Sequence, residues 1–162
     1  MKRLLILWLP LMLMACGTGD DDGRRLGELV VGTWQRSWDD GDIIIEGDTD
    51  LEPENFTYDQ FVFRGDGTYN GMVRKGTFTA YNTKGEVIYE GDYQCDNHNL
   101  KLQFLDEGGA KRSILAQVLS FTENTVRIRY DHDQNGITVT FIIRKLSNDS
   151  NGYFSSSSTT SL

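Results

Sequence analysis

Thr125-Val126-Arg127-Ile128-Arg129-Tyr130, followed after a polar break by Thr138-Val139-Thr140-Phe141-Ile142-Ile143-Arg144, alternates apolar and polar side chains along most of its length. Successive side chains of an extended strand point to opposite faces. Val126, Ile128 and Tyr130 therefore share one face, as do Val139, Phe141 and Ile143. Arg127, Arg129, Thr138 and Thr140 fall on the other. The break itself, Asp131-His132-Asp133-Gln134-Asn135-Gly136, has the residue types of a tight connection. This is the pattern of two antiparallel strands with one apolar and one solvated face.

Outward from this pair the same period recurs. Leu100, Leu102 and Phe104 alternate with Lys101 and Gln103, and Val87, Tyr89 and Tyr93 share a face upstream. Strands are expected at Leu29–Arg36, Phe56–Arg64, Thr68–Arg74, Thr77–Tyr81, Glu86–Gln94, Leu100–Leu105, Ser113–Phe121, Thr125–Tyr130 and Ile137–Lys145. Gly65-Asp66-Gly67 is expected to turn the second tightly into the third, since glycine tolerates positive φ. Asp39 to Asn55 reads as an acidic connection enclosing the short run Ile43-Ile44-Ile45. No window of a dozen residues repeats apolar positions at helical spacing. The expected fold is all-β: a small antiparallel up-and-down barrel of about eight to nine strands. A two-sheet sandwich fits the same period of two and stays open as the competing architecture.

The termini carry different information. Lys2-Arg3 followed by the apolar run Leu4 to Ala15 has the form of a secretory signal peptide over residues 1–15, too short to span a bilayer as a helix. Leu13-Met14-Ala15-Cys16 resembles the lipobox of bacterial lipoproteins. The resemblance implies a diacylglyceryl group on the Cys16 sulfur, cleavage before it, and a lipidated flexible tether over residues 16–27. Several acyl chains hold where one binds only marginally, so the membrane is the expected partner through the N-terminal lipid. Gly17 stands where family members retained at the inner membrane often carry Asp, which implies the outer membrane. Gly17-Thr18-Gly19-Asp20-Asp21-Asp22 is similar to the acidic stretch of lipoproteins displayed at the cell surface, and the periplasmic and surface faces both stay open. The barrel domain is expected over residues 28–146, and the Ser/Thr-rich stretch 147–162 as a disordered tail.

The chain carries 16 basic and 24 acidic side chains in its 162 residues. Without Lys2 and Arg3 it carries 14 and 24, a net charge of −10, which disfavours a nucleic-acid partner. With Cys16 acylated, Cys95 has no intramolecular partner, and its acidic neighbours Asp92 and Asp96 work against an activated thiol.

Gly32-Thr33-Trp34 on the first strand is similar to the GxW signature of lipocalins. Phe61-Val62-Phe63, Gly65-Asp66-Gly67-Thr68-Tyr69, Gly76-Thr77-Phe78 and Leu100-Lys101-Leu102 follow in the order seen in compact lipocalin-like domains of bacterial lipoproteins. The resemblance covers roughly Glu28 to Leu146. It implies that Trp34 closes one end of the barrel beneath a basic side chain of the last strand, for which Arg144 is the candidate by position.

Chemistry-bearing constellations are sparse. His98 and His132 lie in separate turns, which does not support a zinc site, and no serine sits in a nucleophile elbow. Asp131 to Gly136 opens like a calcium loop, but its twelfth position is Ile142 rather than a bidentate Glu. The acidic connection with Asp48, Asp50, Glu52 and Glu54 reads as a solvated charge run. No metal, cofactor or catalytic residue is expected, and the protein is expected not to be an enzyme. Phe61, Phe63, Tyr89, Tyr93, Phe104 and Phe141 are the expected lining of a barrel cavity for a small, largely apolar ligand. The same rings also suit a dry, filled core, in which case the barrel is a surface module for another envelope protein.

Overall fold

A computed structural model describes residues 23–132 and 136–153. The signal peptide, Cys16, the triple aspartate, the turn residues Asp133 to Asn135 and the tail from Phe154 lie outside the described residues. The described chain forms a short helix α1 (Leu26–Leu29) and nine strands. These are β1 (Gly32–Arg36), β2 (Ile43–Glu46), β3 (Tyr58–Gly65), β4 (Arg74–Asn82), β5 (Val87–Cys95), β6 (Asn99–Leu105), β7 (Lys111–Phe121), β8 (Thr125–Asp131) and β9 (Thr138–Ser147). A single 3-10 turn, Pro53–Asn55, interrupts the connection from β2 to β3.

All strand pairs are antiparallel and belong to one sheet. β1 closes it, facing β3 on one side (Trp34 opposite Phe61) and β9 on the other (Trp34 opposite Lys145). Eight strands thus form a closed barrel, and the single sheet excludes the sandwich. The extra strand, β2, pairs only with the first half of β9, from Ile43 opposite Phe141 to Glu46 opposite Thr138. The Ser37 N–H donates to the Ile142 carbonyl at 2.8 Å, continuing the ladder between β1 and β2. Val126, Ile128, Tyr130, Val139, Phe141 and Ile143 are all buried, so the alternation read from sequence marks the inner face.

One end of the barrel is shut. Trp34 is completely buried and its indole N–H donates to the Val30 carbonyl at 2.7 Å. Helix α1 lies across this end: Leu26 is buried, its N–H donates to Asn97 Oδ1 at 2.9 Å, and Arg74 Nε donates to the Gly27 carbonyl at 2.8 Å. The segment read as tether therefore lends its last two residues to the packed unit. At the other terminus Thr33 Oγ1 donates to the Asp149 carbonyl at 2.7 Å and Tyr153 packs on Tyr81, so part of the segment read as tail docks on the barrel.

Three strand expectations need correction. Thr68–Arg74 is not a strand, and only Arg74 of it belongs to β4. Asp66 Oδ1 accepts from Thr68 N, and Asn70 Oδ1 accepts from Met72 N and Val73 N, local bonds that compete with a ladder. The hairpin closes instead with Gly65 opposite Gly76, across a longer loop. Conversely Ile43–Glu46, whose sequence suggests part of a connection, pairs as a strand. Val87 does not share the inner face of Tyr89 and Tyr93: it is 51% exposed, just past a bulge between Ala80 and Tyr81.

Candidate ligand-binding site

The end opposite Trp34 holds a cavity of about 290 Å³. Its rim comes from the connection Asn55 to Thr57 and from Asp131 and His132, while its walls are rings and aliphatic side chains of β3 to β9. Five of the six expected residues line it: Phe61, Phe63, Tyr89, Phe104 and Phe141. The sixth, Tyr93, does not. Its ring meets Phe63 edge-on at 5.0 Å on the closed side, and its buried hydroxyl has no hydrogen-bond partner.

Of the tyrosines whose hydroxyls the sequence offers to orient a guest (Tyr58, Tyr69, Tyr81, Tyr89, Tyr93 and Tyr130), the cavity takes Tyr58, Tyr89 and Tyr130, whereas sequence reasoning missed Arg36. Tyr58 and Tyr130 both line the cavity, and their hydroxyls share a hydrogen bond at 3.1 Å. Burial pushes both phenols above their ordinary titration range, so they remain neutral at physiological pH. Behind Tyr58 lies Arg36, which follows Trp34 by two positions and so points inward like it. Arg36 is 1% exposed, with its guanidinium carbon 3.5 Å from the centroid of the Trp38 ring and 4.9 Å from that of Tyr58. Nη2 donates to the Phe56 carbonyl at 3.0 Å, whereas Nε and Nη1 make no hydrogen bond of ordinary geometry. Burial lowers the pKa of this guanidinium, and Tyr58 and Asp59 work against that shift. Asp59 is itself buried and accepts the Trp38 indole N–H at 2.8 Å. An arginine two residues beyond an anchoring tryptophan, in register with it, was the available sequence signal.

At the rim Phe56 packs against Tyr58 at 5.6 Å and edge-on against His132 at 5.4 Å. The connection from β2 thus folds over part of the opening. Among the described residues no three or more His, Cys, Asp or Glu side chains come together as metal ligands. Cys95 forms no disulfide and is fully buried, and burial pushes its thiol up to about 12, the state of a packed rather than a nucleophilic cysteine.

The basic side chain over Trp34 is Lys145 and not Arg144. Lys145 Nζ lies 5.1 Å from the centroid of the Trp34 ring and donates to the Leu29 carbonyl at 2.6 Å. Arg144 points outward, reaching Asp39 at 3.1 Å and Asp42 at 2.8 Å.

No protein-family model matches this chain, and no curated protein gives a significant match. Among the described residues no helix is long and apolar enough to cross a membrane.

Proposed function

We propose that this protein is a lipid-anchored lipoprotein of the outer membrane whose lipocalin-like barrel holds a small, largely apolar molecule without transforming it. The cavity of about 290 Å³, walled by Phe61, Phe63, Tyr89, Phe104 and Phe141, carries the reading. Its volume is near the lower end of the range for ligand pockets, roughly 300–1,000 Å³, and matches that of about ten liquid waters, so the ligand is small. One end closed by Trp34 and α1, and the other rimmed by loops, is an arrangement that admits a guest from one side only. The lipobox-like Leu13-Met14-Ala15-Cys16 supports the anchor.

Native mass spectrometry of the mature protein, purified from its own membranes, tests the proposal. A discrete adduct of a few hundred daltons, lost on collisional activation, is the expected result. A bare protein mass that stays bare after incubation with apolar dyes overturns ligand carriage. A second reading, a protein-interaction surface, draws on Leu115 and Leu119, which stand 62% and 42% exposed on β7. Leu115→Ser and Leu119→Ser together should abolish co-purification of an envelope partner if that reading holds, and leave the adduct intact if the first does.

A further inference from the structure

A buried guanidinium with two idle donors behind a hydroxyl pair says what kind of guest this cavity takes. We propose that Tyr58 and Tyr130 form the head-group subsite for the carboxylate of a small acidic amphiphile, with Arg36 as the positioning residue behind them. The inference rests on the ligand-carrier reading above and adds the chemical class of the ligand.

Arginine carries five N–H donors and remains charged in proteins. Removing it from water is costly unless its donors and its charge are matched. Here Nη2 is matched by the Phe56 carbonyl, while Nε and Nη1 make no hydrogen bond of ordinary geometry and the guanidinium is left to interact with the neighbouring Tyr58 hydroxyl. The rings of Trp38 and Tyr58 stabilise the cation through their faces, and Asp59 contributes opposite charge, but its carboxylate is engaged by Trp38. Positive potential therefore remains at the cavity wall where the tyrosine hydroxyls stand. The two hydroxyls carry two protons and spend one on their mutual bond, leaving the other to donate to a guest oxygen. A carboxylate there gains a charge-assisted hydrogen bond inside a low-dielectric wall.

The rest of the lining decides the orientation. Apart from this pair, the polar side chains on the cavity are Tyr89, on the wall, and those of the rim: Asn55, Thr57, Asp131 and His132. A carboxylate left at the rim would face the exposed Asp131, whereas an apolar tail fits the walls of Phe104, Leu102 and Ile114. Asp131, like Glu52 and Glu54 on the neighbouring connection, is solvent-exposed and screened over about 8 Å at physiological salt. Those charges slow approach of an anion more than they disfavour one already beside Tyr58.

The full mature chain carrying Cys16→Ser, which needs no detergent, is titrated calorimetrically at pH 7.5 with decanoate, methyl decanoate, decanol and decylamine. Hydrogen bonds to charged groups contribute about 1.5–3 kcal/mol, which corresponds to roughly ten-fold or more in affinity. Decanoate should therefore bind at least about ten-fold more tightly than the ester and the alcohol. That preference should collapse in Arg36→Gln and in Tyr130→Phe, the second of which keeps the ring and its packing. Equal affinities for acid, ester and alcohol overturn the head-group assignment while leaving the cavity reading intact, as does tighter binding of the amine. Selectivity that survives in both variants also overturns it. Failure of all four probes to bind overturns the assignment together with the carrier reading beneath it.

Discussion

Arg144 and Lys145 are neighbours, yet the pleat sends them to opposite sides of the barrel wall. The parity that places Val139, Phe141 and Ile143 inside also places Lys145 inside, beneath the bulged pairing with Trp34. Lys145 then gains a cation–π contact and a hydrogen bond to the Leu29 carbonyl at once. Lys145→Met is expected to cost about 1–3 kcal/mol in urea unfolding, through both interactions. Arg144→Met, which loses only the exposed pairs with Asp39 and Asp42, is expected to cost about 1 kcal/mol or less. The reverse order would show that Arg144 makes the closing contact after all. Cys95 supports a pH prediction of definite sign. Its thiol titrates at 9.0 ordinarily and is pushed up to about 12 by burial, so the folded state keeps a proton that the unfolded chain releases. The stability it contributes is complete below pH 9.0 and is lost as pH rises toward about 12. Tyr93, also raised by burial, acts in the same sense, while Lys145, lowered by burial, acts in the opposite one. Urea midpoints at pH 8 and pH 10.5 should therefore fall less in Cys95→Ala than in the parent, and an unchanged difference would contradict this account.

At the scale of elements, β5 shows how the barrel curves. Gly91 stands opposite Phe78 on β4 and Phe104 on β6, and a Cβ there would fall on the Gln103 carbonyl. The missing side chain lets the backbones close up, while the edge-on pair Phe78–Phe104 packs across the gap at 6.2 Å. Gly91→Ala is expected to destabilise the domain by about 1–3 kcal/mol and to alter near-ultraviolet circular dichroism, since both phenylalanines must shift. A variant with the parent's melting temperature and spectrum would show that β5 and β6 have slack at this point. The elements misread from sequence follow from the same physics. Thr68-Tyr69-Asn70 looks strand-like, but Asp66 and Asn70 capture the nearby backbone N–H groups in turns. Ile43-Ile44-Ile45 is a strand only because β9 outlasts the five-residue β1 and offers it an unpaired edge.

At the scale of the whole molecule, closure puts the function on one end. Trp34 and α1 shut the barrel near the N-terminus, so a chain tethered at Cys16 would present its open end away from the anchor side. Cys16→Ser should move the protein from the membrane pellet to the soluble fraction and abolish incorporation of labelled palmitate, with an unchanged melting temperature. Continued sedimentation with membranes would mean that something other than an acyl anchor holds it. The apolar alternation of β6, β8 and β9, the absence of long helices among the described residues and the five aromatic walls of the cavity were all legible in the chain, because a period of two depends only on side chains a few residues apart. The closure of β1 onto both β3 and β9, the exclusion of Tyr93, the burial of Arg36 behind Tyr58 and the choice of Lys145 over Arg144 were decided by tertiary structure. Each depends on register between strands as much as about a hundred residues apart along the chain, and local sequence carries no record of which distant backbone a strand will meet.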